Sequence, residues 1–216
     1  MKKFIQFDFV PEFLAGDAPT IGKYQFPQIN PNNYLPEEPT LPFNYLTSTK
    51  ERQNYWFHCF IDDKQFQKLW RNFWYYLPII RQAKGLISTD FSLFREYNEE
   101  LLVYNCRRNR SIDYALQKAG ITMIPTAGFA DESSLEWCFD GLPEHSTLAI
   151  TTNGTLSDPE AKRLFIGGVH ALINQKEPTA LVVCGKYPKW LDTKYPGVKI
   201  LHIPSYSEMW RNRRCA

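Results

Sequence analysis

Close cysteine pairs are missing from this chain. Its five cysteines, Cys59, Cys106, Cys138, Cys184 and Cys215, are widely spaced, and no two form a CxxC motif. Zinc sites draw on close ligand pairs, so a structural zinc has no support. An odd, scattered set reads as reduced, mostly buried thiols of a cytoplasmic protein. Cys184 ends an apolar run and reads as packing rather than as a nucleophile. The four histidines, His58, His145, His170 and His202, show neither HxxxH nor HExxH spacing. No metal and no cofactor are therefore expected. His58 and His202 fall in strand patterns and read as core groups with satisfied hydrogen bonds.

Long apolar runs are absent too. Nothing approaches the roughly 18 residues of a membrane-spanning helix, so no membrane partner is expected. The start, Met1-Lys2-Lys3-Phe4, lacks the apolar region of a signal peptide, because Asp8 and Pro11 interrupt it. Charge of one sign is scarce: 25 basic against 23 acidic residues leave +2. That balance argues against a polyanion-coating protein while allowing a local basic patch. There is no GxGxxG and no GxSxG. Gly185-Lys186 is half of a phosphate loop, but Tyr187 follows it and Ala180 stands where the first glycine would be.

What is present is a globular composition with many rings: 44% hydrophobic and 15% aromatic residues. The length, 216 residues, suits about one domain and a core that needs no staples. Residues 1–54 stand apart. Seven of the 15 prolines and nine aromatics fall before residue 46. Proline removes backbone donors, so long helices are not expected there, and a disordered tail would lack the rings. The reading is an extended arm packed on the body, or reaching a second copy of the chain in a homo-oligomer.

From residue 55 to the end, at 216, the pattern is that of a single α/β domain. Strands are expected at 55–60, 85–90, 121–125, 147–151, 180–184 and 198–203. A helix is expected over 62–76, where Phe66, Leu69, Trp70, Phe73 and Leu77 form one stripe and Asp62 caps it. Further helices are expected at 99–119, stopped by Gly120, at 131–138 and at 158–174. Apolar strands alternating with helices imply a mostly parallel sheet of about six strands, flanked and covered on both sides by helices.

Ligands of such sheets lie beyond the carboxyl ends of the strands, where loops and helix N-termini gather. That rule selects Asp90-Phe91-Ser92 as a carboxylate and hydroxyl pair, with Asp90 as the candidate catalytic acid or base. The plainer alternative is a helix or turn cap. Thr152, Asn153 and Gly154 offer a hydroxyl, an amide and a permissive backbone, or simply a turn that demands glycine. Gly185 and Lys186 offer backbone and one cation, or a solvated loop. On the helix at 99–119, Arg107 and Arg110 are three apart, with Tyr104 three before. They would clamp phosphate or line a nucleic-acid backbone, or else pair with nearby glutamates for little gain. Asp62-Asp63 reads as a helix cap, and Trp210 to Arg214 as a basic tail.

The ordered motifs Asp90-Phe91-Ser92, Tyr104-Asn105 with Arg107 and Arg110, Gly120-Ile121 leading to Ile124-Pro125, Phe139-x-Gly141-Leu142, Thr152-Asn153-Gly154, Phe165-x-x-Gly168 and Val183-x-Gly185 resemble a phage, plasmid and bacterial family, domain of unknown function family 4417. The likeness covers about residues 55–205. It adds Asn105 to the candidate site and implies an intracellular protein of a mobile element, with no activity to carry over. The family pattern has a tryptophan shortly after Pro125. Here the chain reads Ala127-Gly128-Phe129, so Phe129 takes that place if the ring stacks on a ligand.

Two functional readings follow. In the first, a phosphorylated or nucleotide-like small molecule sits at the strand ends. Asp90 acts as acid, base or ribose acceptor, Arg107 and Arg110 hold phosphate, Lys186 adds a cation, and Ser92, Asn153, Gly154 and Gly185 orient the ligand. In the second, a non-enzymatic module binds nucleic acid or a host protein through an arginine and aromatic face. Convergence of Asp90, Ser92, Asn153 and Lys186 on a pocket favours the first. An exposed arginine stripe favours the second. A scaffold or inhibitor acting by surface complementarity would leave no mark in the sequence.

Overall fold

Ala180–Cys184 is apolar throughout and Thr147–Thr151 has an apolar Leu-Ala-Ile centre between β-branched threonines, so both bury well between neighbouring strands. Both are strands in the computed structural model, which describes residues 14–37, 39–156 and 158–205. A short antiparallel pair comes first, β1 (Thr20–Ile21) with β2 (Phe26–Pro27). Then β3 (Thr40–Pro42), β4 (Trp56–His58), β5 (Gly85–Ile87) and β6 (Met123–Ile124) form a four-stranded sheet with every neighbour parallel. A three-stranded parallel sheet follows, β7 (Thr147–Thr151), β8 (Ala180–Cys184) and β9 (Lys199–Ile203).

The expected single sheet of about six strands is thus two parallel sheets, of four and three strands. They meet at a parallel bridge between Thr126 and Ala149. Ala149 accepts from the Ala127 N–H at 2.8 Å and donates to Pro125 O at 3.0 Å. Beyond that bridge the chains part, and the candidate site opens there.

Among the described residues five α-helices connect the strands: α1 (Asp63–Arg71), α2 (Phe73–Ile80), α3 (Glu99–Lys118), α4 (Pro159–Lys176) and α5 (Trp190–Lys194). The single helix expected over 62–76 is two, because Asn72 leaves helical geometry at φ −134°, ψ 45°. Asp62 does cap α1, accepting from the Lys64 N–H at 2.8 Å. The short helix expected at 131–138 is one 3-10 turn, Ser133–Glu136.

Side chains alternate across the strands. Phe57, Leu86 and Met123 join Phe66, Leu69 and Phe73 beneath α1, α2 and α3. Leu148, Ile150, Leu181 and Val183 join Phe165, Val169 and Leu172 of α4. Each such ring or branched chain contributes about 1.5–3 kcal/mol by leaving water. The opposite set, Trp56, Ile87, Ile124, Ala149, Val182 and Ile203, comes from both sheets and forms its own cluster with no helical member among the described residues. Helices on both faces were expected, but they share one. Within each sheet every strand lies beside its predecessor in sequence, and parallel crossovers of the usual single hand then return to the same side.

Within residues 1–54, Thr40–Pro42 is a strand of the four-stranded sheet. Tyr24 packs edge-on against Trp137 at 5.3 Å, and Phe43 lies 5.6 Å from Tyr76. No α-helix occurs among the described residues of that stretch. The four rings before residue 14, Cys215 and the basic segment 210–214 lie outside the described residues.

Candidate functional site

Beyond the carboxyl end of β5, after the buried Ser88 and Thr89, come Asp90, Phe91 and Ser92, and helices α1 and α3 pin this loop with polar side chains. Asp63 accepts from the Ser92 N–H at 3.2 Å and from its hydroxyl at 2.9 Å. Asn105 donates to Ser92 O at 2.7 Å, and Asn109 accepts from the Phe91 N–H at 3.0 Å. The loop is therefore built to hold a shape, which is what a site carried on a loop requires.

Asp90 and Ser92 line a cleft of about 380 Å³ together with Gly128 and Phe129 after β6, Asn153 and Gly154 after β7, and Asp158, Ala161 and Leu164 of α4. Three loops and one helix thus converge where the two sheets separate. Phe129 is fixed from behind: a Cβ on Gly168 of α4 would come within 2.1 Å of its ring. Gly128 leaves room beside the acid, since its Cβ would lie 3.3 Å from Leu93 and 3.7 Å from Asp90 Oδ1.

Among the described residues no donor reaches the half-buried Asp90 carboxyl. Burial, and then the neighbouring charge of Asp63, push its pKa up to about 7. Asp63 is itself raised, chiefly by burial and against its bonds to Ser92. Behind the loop, the half-buried Arg108 guanidinium lies 3.5 Å from the centre of the Phe91 ring and donates to Asn105 Oδ1. Burial lowers its pKa from the usual arginine value.

The candidates at the third strand end stand apart. Thr152 is buried and donates to Cys184 O at 3.3 Å. Gly185, at φ +98°, tucks beneath Thr152 and Asn153, where a Cβ would meet the Thr152 hydroxyl at 2.6 Å. It therefore shapes the Asn153 wall from below. Lys186 is exposed and is not among the cleft residues.

The arginines of α3 face elsewhere. Arg107 donates to Tyr24 O and Gln25 O and covers the Phe26 ring at 5.6 Å, tying β2 to α3. Arg110 is 1% exposed and donates to Asp140 O at 3.1 Å, Thr126 O at 3.2 Å and Cys138 O at 2.9 Å. Asp113 lies 3.8 Å away as its counter-charge. Tyr104 is 40% exposed on the outer face of α3, away from the cleft. Asn105 backs the cleft through Ser92 without lining it.

Asp63, Asn109 and Arg108 are additions to the sequence reading. The signal for the first was its place beside a cap. For Asn109 it was an amide on the buried stripe of α3. His58 departs from expectation: it is buried with both ring nitrogens unpartnered, and burial holds its pKa down to about 4. His202 does bond, to Gly185 O at 2.6 Å, but it is exposed on β9 and is not the core group expected. No group of metal-binding side chains occurs among the described residues. Cys59, Cys106, Cys138 and Cys184 are buried, and none of them forms a disulfide among the described residues. No helix among the described residues is long and apolar enough to cross a membrane.

The model of one family matches residues 18–204, most of the chain. The chain belongs to the family described as domain of unknown function DUF4417. It is similar to the "Gene 1 protein" of Mycobacterium phage D29, with 30% identity over 91% of this chain and 71% of that protein. It is also similar to the "Gene 1 protein" of Mycobacterium phage L5, with 32% identity over 73% of this chain and 66% of that protein. No solved structure matches it.

Proposed function

We propose that this protein of a phage or mobile element binds a phosphorylated or nucleotide-like small molecule inside the cell, in the cleft at the carboxyl ends of its strands. One observation carries the reading: Asp90, Ser92, Asn153 and Gly154, from loops after two different strands, line the same cleft, and the acid among them has no hydrogen-bond partner among the described residues. Asp90 would act as acid, base or hydroxyl acceptor, a role suited to a carboxyl that titrates near neutrality. Ser92, held by Asp63, and Asn153, raised on Gly185, would orient the ligand.

The arginine and aromatic face draws less support as a nucleic-acid or host-protein surface. Arg107 and Arg110 spend their donors on carbonyls of their own chain. A thermal-shift screen of nucleotides tests the proposal. A ligand at about 100 times its Kd should raise the Tm by roughly 5–10 °C, and Asp90→Asn should lose most of that shift. No stabilisation of the wild type by any compound would overturn the reading.

A further inference from the structure

The charges lining the cleft are three acids and one base: Asp90, Glu96, Asp158 and Arg95. Arg95 is already engaged, with Glu96 at 2.9 Å and Asp158 at 3.8 Å. The start of α4 is engaged as well. Asp158 accepts from the Ala161 N–H at 2.8 Å, Pro159 has no N–H to offer, and Glu160 adds negative charge to the first turn. A phosphate entering here would meet carboxylates and find neither an uncommitted cation nor an open helix end among the described residues.

The rest of the wall is apolar and partly aromatic. Phe129 is braced against Gly168 and Phe139, while Leu93, Ala127 and Leu164 complete that side. The polar groups left over are the Asp90 carboxyl, which no donor among the described residues reaches, and the Asn153 amide; the Ser92 hydroxyl donates to Asp63 and can still accept. Apolar walls with a few convergent polar groups, in a volume of about 380 Å³, suit a small planar molecule that stacks and bonds along one edge.

We propose that the moiety seated in the cleft is an uncharged planar base, as a nucleobase or nucleoside, with its N–H edge on Asp90 and its plane along Phe129. Any phosphate stays outside. This rests on the reading of the cleft as a nucleotide-like site and narrows it. The acceptor is Asp90 because no donor among the described residues occupies it. Asn153 can serve either a donor or an acceptor of the base, and so helps to choose among bases.

The experiment compares adenosine, guanosine, cytidine, uridine and thymidine with their 5′-monophosphates by calorimetric titration of the wild-type chain, with inorganic phosphate as competitor. At least one nucleoside should bind within about threefold of its monophosphate, and inorganic phosphate should not displace it. Asp90→Asn should weaken that nucleoside by about tenfold or more, as loss of a desolvated hydrogen bond implies. Gly128→Val, which fills the space beside Asp90 without changing charge, should abolish binding. If either variant fails to fold, the wild-type comparison still decides. A monophosphate that binds while its nucleoside is tenfold or more weaker would overturn this inference and leave the cleft reading intact. Binding by neither series would overturn both.

Discussion

Asp90 and Arg110 are both charged groups drawn largely out of water, and the fold treats them in opposite ways. Arg110 gives its guanidinium to three backbone carbonyls and keeps Asp113 as a counter-charge. Asp90 faces a cleft and receives no hydrogen bond from the described chain. A buried charge with its bonding capacity filled holds loops together. One left open costs stability, and the natural return for that cost is a ligand. Arg110 clasps the segments at 126, 138 and 140, and so supports the loop that carries Gly128 and Phe129.

The largest effect expected from this contrast is at Arg110. Arg110→Met leaves three carbonyls and the Asp113 carboxyl without their partner, so urea unfolding should show a loss of about 3–5 kcal/mol. A loss under 1 kcal/mol would remove the distinction between the two charges.

Asp90→Asn should do the reverse, with a pH dependence that fixes its sign. The folded pKa of Asp90, pushed up to about 7, lies above the value near 3.9 of an unfolded chain. The unfolded state therefore sheds its proton first as pH rises. Wild-type stability is fully present below pH 4 and is lost progressively up to about pH 7. The asparagine variant escapes that loss and should be more stable by about 2–4 kcal/mol at pH 8, and equal to wild type near pH 4. The groups around it, Asp63, Cys59 and Asp113, remain in both proteins. Asp113, also pushed up to about 7 by burial, keeps a slope of the same sign in the variant. His58, held down to about 4, opposes both below pH 6.5.

A smaller effect is expected at Gly168. An alanine there places a methyl against the Phe129 ring, costing about 1–3 kcal/mol and swinging the ring toward the cleft. Nucleoside binding should weaken along with stability. The smallest is at the helix cap: Asp158→Ala should cost about 1 kcal/mol. It should also remove one carboxylate from the cleft and open the α4 start, while Arg95 keeps Glu96, so that monophosphates gain affinity relative to nucleosides. Unchanged selectivity there would mean that Asp158 does not set it.

The sequence exposed those parts of the fold whose signal is local. Ala180–Cys184 is apolar from end to end, Thr147–Thr151 is β-branched and apolar at its centre, and Gly120 marks the stop of α3. Asn72 hid the break between α1 and α2 because the apolar stripe continues across it. Pro42 hid β3, since proline discourages a strand assignment and is tolerated at the end of a short edge strand. The separation of the sheets was not legible either, because it depends on a single bridge at Thr126.

The site was legible as strand ends, and Asp90, Ser92, Asn153 and Gly154 do share one cleft. Arg110 illustrates what the spacing left out. Its three-residue relation to Arg107 suggested a shared outer face. Its four-residue relation to Cys106 and eight-residue relation to Leu102 placed it on the inner one. A helix has room for both readings, and packing decides between them.

The most direct test of the account is a carbon-13 NMR titration of the Asp90 carboxyl, alone and with the nucleoside that binds best. The expected result is a midpoint near pH 7 in the free protein that moves when nucleoside is added. A midpoint below pH 5, unmoved by saturating nucleoside, would contradict it.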